Sequence, residues 1–182
     1  MRPSSVLLLL SLLATAATGR AQIEYNPYVG LFSGDNRIEL VGPTDGVDVF
    51  EGQRYAVGAD FLFGAGQLAP SAGILFRPGR YESTTAESFT RHRLQLPLGL
   101  AYRVIAPDWD INLVPSVAVV PGLILGDGVG EENGVHWSGR AGVRLYLDWA
   151  TLGVHYFRGF GDPLPRGEHE EGRMLYTIGL RF

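Results

Sequence analysis

The sequence contains no cysteine and no lysine; every basic residue apart from histidine is arginine. Without cysteine there is neither a disulfide framework nor a thiolate metal site. There is also no acceptor for the lipid of a lipoprotein anchor. Long hydrophobic runs are missing beyond the first segment, "MRPSSVLLLLSLLATAATGRAQ". Its apolar stretch is roughly a dozen residues, against about 20 for a helix that spans a bilayer. With Arg2 ahead of that stretch and Gly19 and Ala21 after it, residues 1–21 are expected to be a secretory signal peptide and 22–182 a single domain. Histidines are few and scattered, with no H-x3-H spacing, so no metal site is expected. No glycine loop sits between a strand and a helix to cradle a phosphate, and no cofactor is expected. A net charge of −4 makes nucleic acid a poor partner.

What the sequence does have is apolar residues, 46% of the chain, arranged with a period of two. In "RHRLQLPLGLAYRV" Leu94, Leu96, Leu98, Leu100, Tyr102 and Val104 share one face. Arg93, Gln95, Pro97, Gly99, Ala101 and Arg103 share the other. "RYAVGADFLF", "HWSGRAGVRLYL" and "RMLYTIGLRF" repeat the pattern, each with one apolar face and one face of polar residues and glycine. Weaker segments, "IEYNPYVGLFS", "LAPSAGILFRPG", "DINLVPSVAVVPGLIL" and "TLGVHYFRGFG", bring the number of predicted strands to eight.

The links between them alternate in length. Those at 64–67, 106–110 and 148–150 are short; those at 34–53, 81–89, 126–134 and 161–172 are long. Only helices and closed barrels satisfy every backbone polar group in lipid, and outer-membrane barrels have short turns at one end and longer loops at the other. The expected fold is therefore all-β, an eight-stranded antiparallel up-and-down transmembrane β-barrel, with 22–33 as its first strand and 173–182 as its last. A soluble lipocalin-like carrier shares this topology with the apolar face turned inward. Glycine and arginine on the polar face suit a narrow, crowded lumen instead. Tyr102, Trp109, Trp137, Trp149, Tyr156 and Phe182 fall near strand ends, where interfacial aromatic girdles form. Six prolines argue the other way, because a closed barrel has no free edge on which to hide a missing donor. Bulges or strand ends are expected among Pro27, Pro70, Pro78, Pro97, Pro115 and Pro121, with Pro78 and Pro121 the foremost ends.

These segments resemble the small eight-stranded outer-membrane barrels, and among them the porin-like outer-membrane β-barrel domain of Bacteroidetes-type bacteria, with an OmpA/OmpX-like architecture. "RLQLPLGLAYRV" is similar to that family's fourth strand, and "LYTIGLRF" to its C-terminal assembly signal. The resemblance implies residence in the outer membrane of a Gram-negative envelope, with Tyr176, Ile178, Leu180 and Phe182 read by the barrel-assembly machinery.

An eight-stranded barrel is just wide enough for side chains to fill. Arg54, Asp60, Arg93, Arg103, Arg140 and Arg144 are expected to form an interior polar cluster, with Asp60 and Glu24 as counter-charges and arginine in excess. A filled barrel predicts a structural or surface-interaction scaffold with little or no open pore; a narrow anion or solute pore is the alternative. A remoter alternative is lipid hydrolysis by His136 and Ser138, faintly similar to the His-x-Ser of outer-membrane lipid A deacylases. The asparagine that follows the serine there is Gly139 here, and an enzyme is not expected. The long links are acidic. Asp127, Glu131, Glu132, Glu168, Glu170 and Glu171 are the foremost candidates for weak divalent-cation bridges to lipopolysaccharide.

Overall fold

The computed structural model describes residues 22–33, 37–41, 47–82, 88–105, 111–125, 135–160 and 173–182. The expected signal peptide, Trp109 and the links at 126–134 and 161–172, with the six candidate cation-binding acids, lie outside these residues. In chain order the strands are β1 (Ile23–Phe32), β2 (Arg37–Val41), β3 (Val47–Gly52), β4 (Tyr55–Phe63), β5 (Leu68–Arg77), β6 (Arg80–Glu82), β7 (Phe89–Thr90), β8 (His92–Gln95), β9 (Leu98–Tyr102), β10 (Val104–Ile105), β11 (Ile111–Leu125), β12 (Val135–Leu147), β13 (Ala150–Phe160) and β14 (Arg173–Leu180).

Eight walls close into a ring: β1, β4, β5, the interrupted wall β8–β9–β10, β11, β12, β13 and β14. β1 pairs antiparallel with β4 on one side and with β14 on the other, so the main sheet has no edge. The pairing continues past β14, where Tyr25 and Phe182 exchange backbone hydrogen bonds of 3.1 and 2.9 Å. Following the register around the wall from Ile23 through Leu100, Val117, Ala141, Tyr156 and Met174 returns to β1 at Ser33, ten residues above the start. A stagger of this kind is what tilts the strands and sets the barrel's width.

The apolar face is outside. Along β12, Trp137 and Val143 are exposed while Ser138, Arg140, Arg144 and Tyr146 are buried. Along β14, Tyr176, Ile178 and Leu180 are exposed while Leu175 and Thr177 are buried. The lipocalin-like alternative, which needs the opposite sense, is excluded.

The prolines cause less disruption than expected. Pro78 follows the end of β5, and Pro97 falls in the gap between β8 and β9. Pro27, Pro70 and Pro115 sit within β1, β5 and β11 with no shift in register. Pro121, expected to end a strand, lies inside β11 instead. Its carbonyl accepts from Leu96 N at 2.9 Å, so its missing donor faces the same gap that Pro97 opens. One interruption of the ladder thus accommodates two prolines.

The short links at 64–67 and 148–150 behave as predicted; the one at 106–110 lies outside the described residues. The turn at Asp148–Trp149 joins β12 to β13 with Asp148 at φ 54°, a left-handed position that Asp tolerates. Gly64 opens the β4–β5 turn at φ 92°, where a side chain would be strained. Two of the long links are not plain loops. β2, β3, β6 and β7 form a separate four-stranded antiparallel sheet at the end of the barrel opposite the short turns.

Candidate functional site in the barrel interior

The interior is built by opposing large side chains with glycines. Asp60 on β4 stands across from Gly73 on β5, His155 on β13 from Gly142 on β12, and Arg144 on β12 from Gly153 on β13. Tyr28 on β1 has glycine on both sides, Gly58 and Gly179. A Cβ at position 73 would run into Asp60 Oδ1 and the carbonyl of Ala59, and one at 142 into the His155 ring. The polar groups therefore occupy the room that the absent side chains leave.

At the centre, Asp60 lies between two guanidiniums. Arg140 Nη1 and Nη2 both donate to Asp60 Oδ1 at 3.1 Å, and Arg144 Nη2 donates to Oδ2. All three side chains are at least 94% buried. Burial of these charges is tolerated because both guanidiniums hydrogen-bond the one carboxylate, which still leaves one positive charge over. Arg144 Nη1 also donates to Tyr146 Oη at 3.4 Å. Tyr28, Asn26 and His155 are buried around the same centre.

A second cluster lies at the short-turn end. Glu24 Oε2 faces Arg103 at 3.6 Å and Arg181 at 3.5 Å, and Glu24 Oε1 accepts from Asn26 Nδ2 at 3.3 Å. Arg103 also donates to the carbonyl of Gly66 at 2.6 Å, and Arg181 stacks 4.9 Å from the Tyr146 ring centroid.

Two apolar clusters flank the central charges. On the long-link side are Tyr28, Phe32, Ala56, Leu75, Val120, Phe157 and Leu175. On the short-turn side are Leu62, Ala69, Ala101, Val114 and Tyr146. Asp60 falls on β4 between Ala56 of the first group and Leu62 of the second.

Of the residues singled out in the sequence, Asp60, Arg140 and Arg144 meet at the centre, Arg103 belongs to the Glu24 cluster, and Arg93 is buried on β8. Arg54 does not join them: it precedes β4 and is exposed, because the barrel wall begins one residue later. Tyr176, Ile178, Leu180 and Phe182 all face outward. Arg77 stacks on Phe32, 4.4 Å from the ring centroid. Ser138 is 1% exposed and donates to the carbonyl of Val120 at 3.4 Å. Among the described residues no cluster of metal-ligating side chains occurs. Tyr28, Asn26, Tyr146 and Arg181 were not singled out; their signal was an inward position, for Tyr28 with a glycine across each strand pair.

No protein-family model matches the sequence, and no curated protein matches it either. Among solved structures, the chain is similar to Neisserial surface protein A (NspA), with a TM-score of 0.50, 10% identity, and coverage of 88% of this chain and 97% of that one. The outer membrane protein OprG from Pseudomonas aeruginosa aligns with a TM-score of 0.48 and 9% identity, over 89% of this chain and 95% of that one. At this identity the likeness to NspA is one of fold alone, a closed antiparallel barrel of eight strands.

Proposed function

We propose that the chain is an integral outer-membrane barrel whose closed body is a structural or surface-interaction scaffold, with no open pore and no enzymatic activity. One observation carries this reading: apolar side chains pack across the lumen on both sides of the Asp60 centre. A solute would have to displace fully buried Leu62, Leu75 and Leu175, and an ion would also lose its hydration among them. The outer surface supports membrane residence. Val29, Val57, Leu100, Val117, Val143, Leu152 and Ile178 are all exposed, and so large an apolar surface does not stay in water. Near the short turns, Tyr25 stacks with Phe61 and Phe182 at 5.1 and 6.2 Å, and Trp149 is exposed, in the manner of an interfacial girdle.

The finer parts of this reading rest on the sequence pattern. They are export by the 1–21 segment, recognition of Tyr176, Ile178, Leu180 and Phe182 by the assembly machinery, the tie to the porin-like barrels of Bacteroidetes-type bacteria, and cation-bridged contact with lipopolysaccharide through the acidic links. The burial of Ser138 supports a non-enzymatic role.

The test is reconstitution in planar bilayers, with insertion verified by different gel mobility of unheated and boiled samples. A quiet membrane is expected. Sustained unit conductance with anion preference would replace the scaffold by a pore.

A further inference from the structure

The Asp60 centre is incompletely satisfied. One carboxylate serves two guanidiniums, leaving the group with a net positive charge in a fully buried site. Arg140 turns its Nη atoms to Asp60, and its Nε–H has no partner. Tyr28 lies beside the same guanidinium with its hydroxyl oxygen toward it and no acceptor for its own O–H, and both ring nitrogens of His155 are unpartnered as well. Each of these residues is at least 94% buried, and both Tyr28 and His155 interact electrostatically with Asp60, Arg140 and Arg144. Against these three donors stand two unpaired acceptors, Asn26 Oδ1 and the second ring nitrogen of His155, so the centre keeps a surplus of one donor together with an uncompensated cation. Natural interiors rarely leave even one such group unpaired.

We propose that the centre of the barrel binds a small monovalent inorganic anion of the halide type, held by Arg140 Nε, Tyr28 Oη and a ring N–H of His155. Water in that place would accept from the donors but leave the excess charge. A monovalent anion removes both deficits at once. The site is small because side chains already fill the lumen: Tyr28 and His155 occupy the space opposite Gly58, Gly179 and Gly142. The Glu24 cluster needs no such ligand. It has the same ratio of carboxylate to guanidinium, but Arg181 is 35% exposed and water can supply the balance. The inference concerns a structural ligand and does not depend on whether solutes cross the barrel.

Crystals of the native chain grown in sodium bromide test this directly. An anomalous peak is expected within about 3.5 Å of Arg140 Nε, at hydrogen-bonding range; water density there without anomalous signal overturns the proposal. In solution, the melting temperature of the detergent-folded chain should be higher in sodium chloride than in sodium gluconate at equal ionic strength, and saturate with chloride. Tyr28→Phe should raise the half-saturating chloride concentration by about tenfold, the loss of one hydrogen bond to a charged acceptor. Arg80→Ala, in an exposed ion pair, should leave it unchanged. Identical melting in the two salts overturns the proposal.

Discussion

The centre of the barrel and its short-turn end contain the same chemical unit, one carboxylate between two arginines, built in two ways. Around Asp60 the side chains are 2 to 6% exposed and the Arg140 contacts are 3.1 Å. Around Glu24 they are 9 to 35% exposed and the contacts lengthen to 3.5 and 3.6 Å. The difference follows from water. Charges that keep some hydration need not satisfy one another closely, whereas buried charges must, since each carries a desolvation cost of several kcal/mol. Glycine is the structural counterpart. It stands opposite Asp60, where space for a tight arrangement is needed; opposite Glu24 stands Leu62.

Removing the central carboxylate should have the largest effect. Asp60→Asn leaves two buried guanidiniums uncompensated and is expected to cost about 3–5 kcal/mol in denaturant unfolding of the detergent-folded barrel. Adding Arg144→Met should recover part of that loss by restoring the wild-type net charge. An Asp60→Asn chain that unfolds at the wild-type denaturant concentration would erase the distinction between the two clusters. Next comes the glycine opposite: Gly73→Ala puts a methyl group onto Asp60 and should cost about 1–3 kcal/mol, the range for overpacking a filled interior. Gly66→Ala, whose added carbon meets only Leu68 O at 3.5 Å, should fall within about 0.5 kcal/mol of wild type in the same assay. At the short-turn end, Glu24→Gln removes a buried carboxylate whose partner Arg181 keeps access to water, and should cost less than Asp60→Asn, about 1–2 kcal/mol. Smallest of all is the link between the regions. Tyr146 accepts from Arg144 through its hydroxyl and lies under Arg181 with its ring. A double-mutant cycle of Asp60→Asn with Glu24→Gln should show a coupling of about 0.5 kcal/mol that disappears in a Tyr146→Phe background.

The alternation that predicts the strands also predicts which side chains enter the lumen, because register slips by one residue would turn every side chain to the wrong face. That is why Asp60, Arg93, Arg103, Arg140 and Arg144 could be assigned to the inside from local pattern alone. Which of them meet is a different matter. Asp60 lies 80 and 84 positions from its two arginines, and their encounter depends on the tilt of walls that no local pattern records. Arg54 shares the inward parity but lies just before the wall, and parity does not mark where a wall begins. The small sheet escaped because β2, β3, β6 and β7 are two to six residues long, too short for alternation to stand out. Pro121 stays inside a strand because a proline's cost depends on its neighbour, and the local pattern does not record that the break at Pro97 lies alongside it.

The seam between β1 and β14 has a consequence for how the molecule forms. Arg181 and Glu24, which meet across it, are 157 positions apart. Nearly the whole chain must be in place before the seam can close, and such distant pairings make folding slow. Until then the barrel is an open sheet with two unpaired edges, one on β1 and one on β14, able to take a strand from another chain. Closing the seam is therefore the step at which an aggregation-prone intermediate becomes a barrel whose main sheet has no edge. The hydrogen bonds between Tyr25 and Phe182 at one end and between Ser33 and Met174 at the other fasten it at both ends.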